Sequence, residues 1–264
     1  MAYYDGNGVH LYFEFHGNEG PCIVLMNGLF QSTENWLPVI RQLKGFRILL
    51  YDMRGQGRSS VPGTPCTPET HVEDLHGLLR FIEWDSCSFA GMAGGAMVAQ
   101  LFAVRYPHMV DKLILSNTAA RMDYHCRAKI KSWMDSVQAG GLLLRAQVTI
   151  PWGFGSTFME EHPELLADAT LERLMQKAPS RQAHIQLVEG LLMARDMREE
   201  LKNVNCPTLV VSGDEDLIFP EKYGRELAMA IPGAQLEVLE GVGHSSHVEK
   251  PQRLGQLMQT FLTA

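Results

Sequence analysis

Three groups of residues, far apart in the chain, carry side chains and spacings suited to nucleophilic acyl transfer. The first is Gly91-Met92-Ala93-Gly94-Gly95. It has the frame Gly-x-Ser-x-Gly, in which a strained turn lifts one side chain above a sheet and a helix starts directly behind it, with alanine in the nucleophile's place. The second is Gly213-Asp214-Glu215-Asp216, with Pro220 four positions on, and the third is Gly241-Val242-Gly243-His244. Acyl transfer needs a base beside the nucleophile, a carboxylate that orients the base, and donors for the oxyanion. The order along the chain assigns His244 as general base and Asp216 as its orienting acid. Asp214 is the alternative acid. A solvated acidic turn would explain residues 214–216 on their own, but not their pairing with the turn at Ala93. The oxyanion donors are read as the backbone N–H groups of Gly94 and Leu29, with Phe30 as a substitute for Leu29.

The spacing around Ala93 has a steric cause. The apex of such a turn holds a sparsely populated backbone conformation, and its neighbours two positions away must lack bulk because strand and helix pack closely there. Gly91 and Gly95 meet that need. In a purely structural turn, glycine at the apex would relieve about 1–3 kcal/mol of strain, so a retained Cβ marks a slot built for a side chain. Alanine is that side chain without its hydroxyl. Two readings follow: a serine-to-alanine form of a hydrolytic enzyme, or a natural alanine in a protein that does not hydrolyse.

Substrate contacts are assigned to Asn27, Phe30, Met92, Trp133, Trp152 and Phe154, the aromatic ones lining an apolar channel; ordinary helix packing is the alternative for each. Asn27 also suits a bracing role in the loop it opens. His244, His247 and Glu249 do not have the spacing of a zinc helix, and residues 91–95 do not meet the dinucleotide pattern. No metal and no cofactor are expected.

Positioning these groups requires alternating strands and helices. Residues 9–15 alternate as a strand, and 22–26 is an apolar run buried on both faces. Residues 35–43 have helical periodicity with Pro38 early, 47–51 is a strand, and 69–84 carries Val72, Leu75, Leu78, Leu79 and Ile82 on one helical face. The strand at 87–90 leads through the turn to a helix ended by Pro107, and 113–115 is the next strand. From 122 to 203 the alternation gives way to helices broken at Gly140-Gly141, Pro151, Pro163 and Pro179. The sheet resumes at 208–212 and 235–239, with helices at 221–231 and 251–262. The expected fold is α/β, a mostly parallel sheet covered by helices on both faces, with a core of residues 1–121 and 204–264 and a helical cap of residues 122–203.

Composition narrows the partners. The 264 residues are 45% hydrophobic and 20% charged, ordinary values for one large globular domain, and the net charge of −7 argues against a nucleic-acid surface. Five scattered cysteines read as free thiols in a reducing compartment. With neither a leader-like N-terminus nor an apolar stretch of about 18 residues, the expected location is the cytoplasm, without a membrane span.

Taken together, Asn27-Gly28-Leu29-Phe30, Asp52-Met53-Arg54-Gly55-Gln56-Gly57-Arg58-Ser59, the turn at 91–95, residues 213–216 and Gly243-His244 resemble the α/β-hydrolase superfamily over nearly the whole chain. The segment Ser116-Asn117-Thr118-Ala119-Ala120-Arg121 is similar to one in 3-oxoadipate enol-lactonases. Asn27-Gly28, in place of His-Gly, is similar to 3-hydroxyacyl transferases acting on carrier-protein or coenzyme A thioesters. The resemblance implies a serine-type hydrolase of a small-molecule ester, lactone or thioester, or an acyltransferase with acyl carrier protein or coenzyme A as partner.

Overall fold

Short apolar runs bounded by turn residues form one eight-stranded sheet. The computed structural model describes residues 2–61, 63–176 and 178–264. Its strands are β1 (Ala2–Gly6), β2 (Val9–His16), β3 (Cys22–Met26), β4 (Arg47–Tyr51), β5 (Cys87–Met92), β6 (Val110–Ser116), β7 (Thr208–Gly213) and β8 (Gln235–Leu239), in the order β1-β2-β4-β3-β5-β6-β7-β8. β2 pairs antiparallel with β1 and β4, and every other pairing is parallel. β3, β5 and β7 are buried along their full length, as expected of parallel strands covered on both faces.

The pleat sends alternate side chains into two cores. Val24, Met26, Leu49 and Tyr51 face one side, where α1 (Pro68–Phe81) contributes Val72, Leu75, Leu78 and Leu79, and α2 (Gly94–Arg105) contributes Val98, Leu101 and Phe102. Each of these buried aliphatic side chains contributes roughly 1.5–3 kcal/mol. Ile23, Leu25, Ile48 and Leu50 face the other side, against Trp36, Val39 and the Leu254, Met258 and Leu262 stripe of the C-terminal helix Pro251–Thr263.

Between β6 and β7 the chain leaves the sheet for a helical insertion, chiefly α3 (Tyr124–Gly153), a helix Asp168–Gln176 and α4 (Arg181–Leu192). α3 is kinked at Gly141 (φ 73°, ψ −163°), and Pro151 lies inside its last turn rather than ending it. Further differences from the sequence reading concern a hairpin, a helix and the lengths of two strands. The β1–β2 hairpin was not anticipated; its signal is Asn7-Gly8, both at positive φ, the two-residue turn that matches strand twist. Residues 35–43 do not form one helix but a 3₁₀ turn Thr33–Trp36 and a single helical turn Leu37–Ile40. β5 and β6 run longer than the apolar periodicity suggested, because pairing with neighbouring strands extends them. Among the described residues no helix is long and apolar enough to cross a membrane, and all five cysteines are free thiols.

β5 passes into α2 through Ala93, whose backbone sits at φ 48°, ψ −112°. A Cβ on Gly91 would lie 2.5 Å from the Ala96 Cα, and one on Gly95 would lie 2.4 Å from the Asn27 carbonyl and 2.7 Å from that of Met26. Gly94 has room, its nearest contact being Leu29 at 3.7 Å. Gly95→Ala is therefore expected to destabilise the fold by about 1–3 kcal/mol while Gly94→Ala leaves stability nearly unchanged, as read by urea unfolding. Equal losses at both positions would contradict the steric account.

Candidate active site

Ala93, at the apex of the turn, is held by three elements. Its amide donates to the Ser116 carbonyl at the end of β6 (2.9 Å), and its carbonyl accepts from the Thr118 hydroxyl (2.9 Å) and from the Met97 amide within α2 (3.1 Å). The methyl group points into a cavity of about 530 Å³ that Leu29, Phe30, Gly94, Trp133, Phe154 and His244 also line.

His244 reaches this cavity from the loop after β8, and Asp216, from the loop after β7, stands behind it. The His244 Nδ1 lies 2.9 Å from Asp216 Oδ2; a carboxylate only accepts, so Nδ1 carries the proton and Nε2 keeps a basic lone pair. Asp216 is 2% exposed. Its Oδ1 accepts from the amides of Ile218 (2.8 Å) and Phe219 (2.9 Å), and its Oδ2 also accepts from Asn117 Nδ2 (3.1 Å). Burial alone would raise the Asp216 pKa. The charge and hydrogen bond of His244, with the bonds from Asn117 and Phe219, outweigh burial and hold it below the ordinary carboxylate value. Asp214, the alternative acid, instead accepts from the Val242 amide at 3.2 Å and helps shape the histidine loop.

Two residues that the sequence reading named without a positioning role, Asn117 in the segment 116–121 and Glu249 beside the histidines, hold the site in place. Asn117, at φ 48° just beyond β6, donates to Asp216 and to the Gly243 carbonyl (3.0 Å), so it ties the acid to the histidine loop. Asparagine tolerates that backbone better than most residues, and its place directly after a parallel strand is the signal that could have found it. Glu249 is a half-buried carboxylate that accepts from the amides of Gly243 (2.7 Å), Ser245 (2.9 Å) and, in the insertion, Gly155 (3.0 Å). Burial raises its pKa above the usual value, and those three amides pull the other way without cancelling the rise.

The loop after β3 is braced from within. The Gly28 amide donates to Gln31 Oε1 (2.9 Å) and the Gln31 amide to Gln56 Oε1 (3.0 Å). Asp52, in the segment 52–59, accepts from the amides of Thr33 (2.7 Å) and Arg58 (2.9 Å). Among the described residues the Leu29 and Gly94 amides have no hydrogen-bond partner; Gly94 is the first residue of α2, where amides lack an intrahelical acceptor.

Three expected substrate contacts need correcting. Asn27 is fully buried and donates to the Tyr51 carbonyl (3.3 Å), so it braces β3 against β4. Met92, the last residue of β5, is fully buried in the core on the insertion side of the sheet. Trp152 does not line the cavity; it packs beside Lys129, whose ammonium lies 5.7 Å from its ring centre. In each case an apolar or amide side chain beside a site residue points the other way, which neither composition nor spacing reveals. His247, considered as a metal ligand, is fully buried against Trp36 (5.6 Å between ring centres), and no metal-binding cluster occurs among the described residues.

The comparisons with known proteins agree with this architecture. The family model Hydrolase_4, described as serine aminopeptidase, S33, matches residues 18–251. The chain belongs to this family. It is an α/β-hydrolase, and the crystal structure of the enol-lactonase from Burkholderia xenovorans LB400 has the same fold, with a TM-score of 0.90, 30% identity and coverage of 100% of both chains. The 3-oxoadipate enol-lactonase 2 of Acinetobacter baylyi is 27% identical over 95% of this chain and 92% of its own. A Serratia proteamaculans protein whose name assigns it as a carbamate hydrolase, RutD, is 28% identical over 96% of each chain.

In this α/β-hydrolase both nitrogens of His247 lack a partner among the described residues, and burial, helped by the charge of His244, pushes its pKa down to about 3. The folded state keeps it neutral while the unfolded chain protonates near pH 6.5, so its contribution is intact above that value and drains away as pH falls towards 3. Stability is expected to fall with a slope of about 1.4 kcal/mol per pH unit from this residue. His247→Leu should remove that share of the slope in urea unfolding between pH 7 and 4; an unchanged slope would refute the assignment.

Proposed function

We propose that this chain has the machinery of a serine-type hydrolase of carboxylic esters, lactones or thioesters, with Ala93 standing where the nucleophilic serine belongs. The observation that carries the reading is the shared cavity: Ala93, at a strained apex, and the imidazole edge of His244, oriented by buried Asp216, open onto the same space. A hydroxyl at position 93 would attack an acyl carbonyl as His244 Nε2 takes its proton. Asp216 would stabilise the imidazolium, and the unpartnered amides of Leu29 and Gly94 would receive the oxyanion. Collapse of the tetrahedral intermediate would release the alcohol or thiol with the proton from His244. Water, deprotonated by the same nitrogen, would then free the acid. The helical insertion serves as a cap in this reading, since Trp133 and Phe154 wall the cavity from that side.

The names of the relatives favour small acyl compounds, a lactone and a carbamate among them, each with a carbonyl open to the same attack. The acyltransferase alternative drew on Asn27-Gly28. The Asn27 amide is committed to Tyr51 and does not line the cavity, so that motif gives a carrier thiol no contact there.

The test is Ala93→Ser assayed on p-nitrophenyl esters, a lactone and an acyl thioester beside the unaltered chain. Serine should raise turnover by on the order of 10⁶, and His244→Ala in the same background should abolish the gain. A folded Ala93→Ser protein without activity on any of these compounds would reject the serine mechanism and leave Ala93 as the residue of a non-hydrolytic protein.

A further inference from the structure

α3 brings a cation into the wall of the cavity. Arg145 is 8% exposed and lines the same space as Ala93 and His244. Its Nη1 reaches the Thr149 hydroxyl at 3.3 Å, one turn on in α3, and its Nε has no partner. Its guanidinium carbon lies 4.6 Å from the centre of the Phe30 ring, the residue next to the Leu29 amide. Among the described residues no carboxylate forms an ion pair with Arg145, and burial alone lowers its pKa, to about 10, so it remains cationic near neutral pH. Glu34, which also lines the cavity, has a partner of its own.

A buried guanidinium without a counter-charge is costly, and five N–H donors with one engaged leave a fork that matches a carboxylate. The surroundings agree. His184 stacks on Phe30 at 4.5 Å, and its pKa is pushed down to about 4, first by burial and then by the charge of Arg145. That histidine is therefore neutral near neutral pH, and among the described residues that line the cavity Arg145 is the permanent cation.

We propose that Arg145, backed by Thr149 and Phe30, binds a free carboxylate on the substrate, so that the preferred compounds are half-esters or lactones of dicarboxylic acids. The inference rests on the acyl-hydrolase reading for what happens at the other end of the molecule, but the anion subsite can be tested without turnover.

Calorimetry on the unaltered Ala93 chain would compare monomethyl glutarate with dimethyl glutarate, near-isosteres that differ in one negative charge. The monoanion should bind roughly ten- to a hundredfold more tightly, the range of a charge-assisted hydrogen-bonded pair. Arg145→Gln should remove the preference and Arg145→Lys should keep part of it. If Arg145→Gln does not fold, the charged-against-neutral comparison and Arg145→Lys still decide. Equal binding of the two compounds, no binding of either, or a preference that survives in Arg145→Gln would overturn the proposal. In the Ala93→Ser background, mono-p-nitrophenyl glutarate should show a lower KM than its methyl ester at similar kcat. Hydrolysis of both without discrimination would sink the anion subsite and leave the serine reading intact. Selective binding without hydrolysis would do the reverse.

Discussion

The fold is organised around one strained residue. A backbone at φ 48°, ψ −112° costs about 1–3 kcal/mol in a residue that has a Cβ, and it persists at Ala93 because its neighbours leave no alternative. Gly91 lets β5 lie against α2, Gly95 lets α2 lie against the end of β3, and the Ala93 amide is fixed to the last residue of β6. β5 runs between β3 and β6 in the sheet, so two of the three anchors come from its direct neighbours and the third from the helix that follows it. Moving any of them would release the turn, which couples the sheet order itself to the position of one side chain.

The second cost is electrostatic. Asp216 is an ionised carboxylate taken out of water, which is tolerable only with its lone pairs satisfied. Two backbone amides, one asparagine and one histidine do so, drawn from the loops after β6, β7 and β8. Asn117 adds backbone strain of its own in order to reach. The carboxyl ends of parallel strands are where such convergence is available, since successive loops emerge there side by side.

Sequence made much of this legible, for reasons that differ by element. The parallel strands are near-continuous apolar runs, and the turn at 91–95 is written in residues whose absence of bulk has a single steric use. Asp216 and His244 follow from the order of roles. What escaped depended on direction rather than type. Asn27, Met92 and Trp152 sit beside site residues but point into the sheet, into the core or onto Lys129. Asn117 is marked only by its place after a parallel strand, and its partners lie about 100 residues on or more; Glu249 joins its own loop to Gly155 in the insertion, a contact that no local pattern announces. Residues 35–43 keep helical periodicity, yet the 3₁₀ turn at Thr33–Trp36, with Thr33 fixed to Asp52, takes up the start of that stretch and leaves one helical turn behind it.

The Glu249 carboxylate links two walls of the cavity. Its Oε2 holds the amides of Gly243 and Gly155 together, and a Cβ on Gly155 would lie 2.8 Å from the Gly243 amide nitrogen. The end of α3 is thus bolted to the loop that carries His244. One oxygen atom thereby joins the insertion to the loop that carries His244, and holds the two in register where the cavity wall passes from one to the other.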